Sequence, residues 1–125
     1  MAVAPNGTVY VADYGNSRIQ YFTADGDLLG MWGKNGTAEG LFNKPNGVAI
    51  DGLGRVFIAD DFNNRVQVFT ADGQFLASAG EPGDGLGFLN DPLAVAVAPD
   101  GTAYVSDVDS VQAFRIRAQA ADGEQ

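Results

Sequence analysis

One spacing constrains this chain more than any other. VYVAD ends at Asp13, VFIAD at Asp60 and AYVSD at Asp107, and each aspartate stands 47 residues after the last. The match runs well beyond the pentads: AVAPNGTVYVAD lies over AIDGLGRVFIAD and AVAPDGTAYVSD, and NSRIQYFTADGDLL lies over NNRVQVFTADGQFL. A fixed period of this length marks a chain built from one supersecondary unit used again and again.

Each unit reads as four short strands. In the second unit they fall at about 47–50, 55–59, 65–70 and 74–79, rich in Val, Ile and Phe. The third alternates, with Val66, Val68 and Thr70 on one face and Arg65, Gln67 and Phe69 on the other. The breaks at 51–54 and 71–73 carry Gly and Asp, the chemistry of hairpin turns. No stretch keeps a helical period of about 3.6 residues over about ten positions, so helix is expected to be nearly absent. Four strands in one 47-residue repeat describe a β-propeller blade. The expected fold is all-β: about two and a half to three four-stranded antiparallel blades of an incomplete ring. Blade one covers residues 1–44, blade two 45–91 and a partial blade three 92–117, with 118–125 a disordered tail.

These residues resemble the NHL repeat family of β-propellers. In residues 40–80, Phe42, Pro45, Gly47, Asp60, Asn63, Arg65, Gln67, Phe69 and Gly73 stand at the family's motif positions. The first unit matches through Asp13, Asn16, Arg18, Gln20, Phe22 and Gly26. The third departs from the pattern: VSDVDSVQAF is two residues shorter than VADYGNSRIQYF, and its Asn-x-Arg pair is gone. The resemblance spans about residues 2–116. It implies a propeller that commonly closes with six blades, or about 282 residues at this period. Three blades leave an apolar flank at each end, and such flanks mark interfaces. The chain is therefore either a piece of a longer propeller or assembles with copies of itself, a two-chain, six-blade ring being the simplest closed solution.

Composition removes several chemistries. The chain has 16 acidic and 7 basic residues and a net charge of -9. That balance argues against nucleic acid and anionic membranes as partners. Without a Cys or His there is no thiolate or imidazole to serve as metal ligand, nucleophile or general base. A related propeller chemistry that uses zinc and His is excluded on the same ground. No run approaches the roughly 18 apolar residues of a spanning helix, and residues 1–10 show no secretory leader, so neither signal is expected. The GDGLG stretch within residues 81–90 lacks the strand–turn–helix setting of a phosphate loop and reads as a connection between blades.

Asp13, Asp60 and Asp107 read as turn-bracing carboxylates that recur in each blade, the alternative being a ring of ligands around a cation. Arg18 and Arg65, paired with Asn16 and Asn63, read as braces of the loop between strands two and three. The repeated aromatics Tyr10, Phe57 and Tyr104, and Phe22, Phe69 and Phe114, read as core between blades, as does Trp32. Connections on one propeller face gather Asp13, Tyr14, Asn16, Glu39, Asp60, Asp61, Phe62, Glu81, Asp84, Asp91, Asp107 and Asp109, which hold nine of the sixteen carboxylates. This face is either a binding surface for a basic or cationic partner or a solubilising acidic surface. Tyr14, Asn16, Asp61, Phe62, Asn63 and Asp109 are its candidate ligand-binding residues.

No cofactor is expected, with calcium as the alternative. The segment PNGVAI is similar to the first strand of gluconolactonase-like propellers. That resemblance implies a calcium role for Asn46, with Asp91 or Asp51 as its carboxylate. The function expected is a non-enzymatic scaffold that binds a protein, peptide or small polar ligand through its loop face. The alternative is a fragment of a calcium-dependent hydrolase.

Overall fold

The computed structural model describes residues 1–81 and 87–116. Asp84 and the 118–125 tail lie outside these residues. Among the described residues, eleven strands form three separate antiparallel sheets. Blade one contains β1 (Ala2–Val3), β2 (Val9–Asp13), β3 (Arg18–Phe22) and β4 (Leu28–Trp32). Blade two contains β5 (Pro45–Ile50), β6 (Val56–Asp60), β7 (Arg65–Phe69) and β8 (Phe75–Ala79). Blade three contains β9 (Ala94–Val97), β10 (Ala103–Ser106) and β11 (Val111–Phe114), three strands among the described residues. Within each sheet neighbours in sequence are neighbours in space, the meander of a propeller blade. The only helical residues described are two single 3-10 turns, Tyr14–Asn16 and Asp61–Asn63, each joining strand two to strand three of its blade.

The period in sequence becomes a period in register. Asp13 pairs with Arg18 and Asp60 with Arg65; Val9 pairs with Phe22 and Val56 with Phe69. Strands three and four shift register at Tyr21/Phe22 and again at Val68/Phe69. The innermost strands approach closely. A Cβ on Gly47 of β5 would come within 2.8 Å of the Ala94 Cα on β9, so only glycine fits where these two blades meet.

Blade two is covered on both sides. Val56, Ile58 and Phe69 face blade one and pack with Tyr10 and Ile19. Phe57, Val66 and Val68 face blade three and pack with Ala103 and Val105. Hence β7 does not show the half-buried pattern its alternation suggests: Val66, Gln67, Val68 and Phe69 are all buried, because a blade follows on one side and precedes on the other. An aromatic chain runs through the first interface, from Tyr21 and Tyr10 through Trp32 to Phe69, Phe42 and Phe75. Trp32 joins this cluster, and its ring sits against Gly73 of the next blade.

The end faces behave differently. Tyr104 stands at the position of Tyr10 and Phe57, yet it is 46% exposed where they are 2% exposed. Among the described residues nothing packs over it, so the core position expected from the sequence is not met at Tyr104. Val111, which pairs with Ser106 on the neighbouring strand, is open too. On the opposite end, Val3, Leu28 and Met31 are exposed and Phe22 is half-buried.

Phe22 and Phe69 thus offer a matched test of neighbour packing. Phe69→Ala is expected to cost about 3–5 kcal/mol, the usual loss for a fully buried aromatic. Phe22→Ala should cost less than about half of that. Urea denaturation of the two variants measures the difference, and equal losses would contradict the burial pattern.

Candidate functional site

The connections between strands two and three, and those leading from one blade to the next, lie on one face. Their framework is a set of carboxylates. Asp60 is fully buried. It accepts hydrogen bonds from Asn63 Nδ2 (3.0 Å), Arg65 Nε (2.9 Å) and Gln67 Nε2 (3.1 Å), and from the Asn43 backbone N–H (2.8 Å). Asp13 accepts from Asn16 Nδ2 (3.0 Å) and Arg18 Nε (2.8 Å). Asp107, one residue past β10, accepts from the backbone N–H groups of Asn90, Asp109 and Ser110. These three aspartates stand in separate blades, and among the described residues no cluster of three or more acidic side chains is placed to hold a metal ion.

The arginines reach further than a loop brace. Arg65 donates to the carbonyls of Thr37 (2.8 Å), Ala38 (3.0 Å) and Leu41 (2.8 Å), which lie on the connection from blade one to blade two. Arg18 meets only Asp13 and the Met31 sulfur among the described residues. Gln67 also holds this connection, accepting from Gly40 N–H (2.9 Å) and donating to the Leu41 carbonyl (2.8 Å). Sequence reading gave Gln67 no functional role, although its repetition as Gln20 and Gln112 was the available signal.

Tyr14 and Phe62 come together at the tips of the two 3-10 turns, edge to face with ring centroids 6.5 Å apart. The chain's own Lys44 lies over both, with Nζ 5.4 Å from the Tyr14 ring and 5.7 Å from that of Phe62. This aromatic pair therefore already holds a cation, an arrangement stabilised by the ring quadrupoles. Lys44 and Asp91 stand 47 residues apart, share a left-handed backbone with φ of 59° and 54°, and occupy equivalent places at successive blade junctions. Where the first junction has Lys44 beside Tyr14, the second has Asp91 near Asp61.

Asp61 is the anomalous group on this face. It is buried, and its Oδ1 has no hydrogen-bond partner among the described residues. Burial raises its pKa above the ordinary carboxylate value, the negative charges of Asp91 and Asp60 add to the effect, and the Asn46 side chain partly offsets it. The fold thus brings Asp61, Asn46 and Asp91 into one neighbourhood. Asp51 is not part of it. It sits at the other end of β5, where it closes the turn through Leu53 N–H, Arg55 N–H and an ion pair with Arg55 at 2.7 Å. Asp109 lies on blade three, where Asn90 Nδ2 donates to it at 3.3 Å. Asn16 and Asn63 serve the carboxylates of Asp13 and Asp60.

Comparisons with known proteins agree with this architecture. The family model of the NHL repeat matches residues 1–22 and 42–69. No curated protein matches the sequence. Among solved structures, the chain is similar to hydrazine synthase of Kuenenia stuttgartiensis, with a TM-score of 0.72, 16% identity and 90% of the chain covered. It is similar to virginiamycin B lyase of Staphylococcus aureus, with a TM-score of 0.65, 16% identity and 97% covered. A protein named as a gluconolactonase gives a TM-score of 0.67 at 17% identity, with 98% covered. The chain spans only 31%, 41% and 43% of those three proteins, so the likeness is one of fold.

The carboxylates make opposite contributions to pH-dependent stability. Hydrogen bonds from Asn16 and Arg18 hold Asp13 below its ordinary value of 3.8. At Asp107 burial pushes upward, and backbone N–H donors led by that of Asn90 more than reverse it. Their stabilisation is present above the unfolded value and lost as the pH falls through the folded values. Asp61, with a raised folded value, loses stability as the pH rises through its titration. Asp61→Asn is accordingly expected to raise the urea midpoint at pH 7, by about 1 kcal/mol of stability, with the gain closing by about pH 3.5. Urea curves at the two pH values check this. The meander of each sheet and the structural likeness give this chain the architecture of an incomplete β-propeller, and two of its segments, residues 1–22 and 42–69, match the NHL repeat.

Proposed function

We propose that this chain is a non-enzymatic binding module whose loop face takes a cationic side chain of a protein or peptide partner. The observation that carries the reading is the Asp61 carboxylate, buried with Oδ1 unpartnered among the described residues and near a second carboxylate, Asp91. Leaving a buried polar group unpaired costs about 1–3 kcal/mol, and an arriving guanidinium or ammonium would relieve both that cost and the repulsion from Asp91. Phe62, next to Asp61 in the chain and 49% exposed, supplies apolar surface beside the ring area that Lys44 covers for the stem of such a side chain. The net charge of -9 favours approach of a basic partner.

A second reading has one observation in its favour. Asp61, Asp91 and Asn46 are oxygen donors of the kind calcium prefers, and a chain similar to a protein named as a gluconolactonase would use them as a fragment of a calcium-dependent hydrolase. The set fits a hard cation in kind but not in number, since calcium takes about six to eight oxygens. Asp61 and Asp91 would hold the ion and Asn46 would orient it; bound there, calcium would supply charge to polarise a substrate oxygen.

Titration with a short Arg-containing peptide, followed by NMR, separates the readings. Saturable shifts at Asp61, Phe62 and Asp91, weakened at least about tenfold in Asp61→Asn and reduced by salt, are the expected result. A melting temperature that rises with calcium and falls with EDTA, without peptide binding, would favour the hydrolase reading instead.

A further inference from the structure

We infer that blade one carries a docking seat for the connecting segment of another propeller blade, an extended Gly-apolar-apolar-Asn stretch. The seat is defined by what blades two and three do with their own connections. In blade two, Gln67 grips the backbone at Gly40 and Leu41, Arg65 binds three carbonyls, and Asp60 accepts the Asn43 N–H. Asn63 donates to the Gly36 carbonyl at 2.9 Å. Between these polar contacts Phe42 is fully buried, 5.5 Å from the ring of Phe69.

Blade three repeats the grip with fewer parts. Gln112 accepts from Gly87 N–H at 3.0 Å and donates to the Phe88 carbonyl at 2.6 Å, Asp107 accepts the Asn90 N–H at 3.0 Å, and Leu89 is fully buried. The two held segments, GLFN and GFLN, share one chemistry: a glycine, two apolar residues, then an asparagine whose N–H meets the carboxylate.

Blade one has the complete set of gripping residues. Asp13, Asn16, Arg18, Gln20 and Phe22 match Asp60, Asn63, Arg65, Gln67 and Phe69 one for one at the 47-residue period. The set is also preassembled: Asn16 and Arg18 meet Asp13 at 3.0 and 2.8 Å, as Asn63 and Arg65 meet Asp60 at 3.0 and 2.9 Å. No connecting segment of the described chain reaches it. The Gln20 carboxamide makes no hydrogen bond among the described residues, and the Arg18–Asp13 pair is 34% and 23% exposed where Arg65–Asp60 is 14% and 0%. The adjoining face, with exposed Val3, Leu28 and Met31, continues the seat as the apolar surface a preceding blade would cover.

The occupant is read from the two seats that are filled, because backbone hydrogen bonds specify an extended strand and the buried ring specifies an apolar residue at one place in it. Preorganisation of Asp13, Asn16 and Arg18 lowers the ordering cost of binding. Within the chain, tethering lets residues 36–45 outcompete any free peptide for the Gln67 seat, so added peptide is directed to blade one.

The probe is the synthetic peptide GTAEGLFNKP, the sequence of residues 36–45, titrated into the folded chain and followed by NMR. Saturable shifts at Asp13, Gln20 and Phe22 are expected. Gln20→Ala should weaken binding at least about tenfold, since two backbone hydrogen bonds are lost. A peptide with proline in place of its asparagine, which lacks the N–H that meets Asp13, should weaken it as much without touching the protein's fold. Asp61→Asn should leave it unchanged, so this seat and the cationic site fail or stand separately. No blade-one shifts at millimolar peptide would overturn the inference, as would binding indifferent to Gln20→Ala.

Discussion

A single buried carboxylate ties the parts of blade two to the blade before it. Asp60 accepts four hydrogen bonds, three from side chains of its own blade and one from the backbone of the incoming connection. A charge excluded from water is tolerated only when its lone pairs are satisfied, so the turn, β7 and the connection must be in place together. Arg65 extends the requirement outward to three further carbonyls. Folding of one blade is thereby linked to the arrival of the next, which is how a repeat array gains cooperativity from nearest-neighbour contacts.

The same residues in blade one are less constrained. Arg18 and Asp13 form the same ion pair, but in contact with solvent, where such pairs contribute about 0–1 kcal/mol. Blade two shows the other limit, in which removal of one partner would strand a buried charge. Identical chemistry thus braces the fold in one blade and remains available for recognition in another. What differs is the neighbour.

The loop face shows a comparable contrast. At the first junction Lys44 rests on Tyr14 and Phe62 and is satisfied there. At the second junction the period puts Asp91 in place of Lys44 and Asp61 in place of Tyr14. A cation on aromatic rings is exchanged for a buried carboxylate, Asp61, near an exposed one, Asp91, with the Asn46 amide partly offsetting the burial of Asp61. A buried carboxylate beside a second negative charge is costly alone and favourable with a bound cation. That asymmetry between otherwise equivalent junctions gives the face its chemical character.

Much of this was legible in the residues. The 47-residue period, the strand alternation and the Gly–Asp turns determined an all-β chain of propeller blades, because each depends on local pattern. The acidic loops and their aromatic tips were legible as well. The sequence by itself could not tell that Tyr104 would stand open while Phe57 is sealed, since burial of a blade face depends on the next blade and not on the residue. Nor did spacing reveal that Lys44 fills the aromatic pair, or that Asp61 is buried near Asp91. Those juxtapositions join residues that are distant in sequence but adjacent across a junction. The tertiary structure decided them, because only packing fixes which charges share a low-dielectric space and which apolar faces remain uncovered.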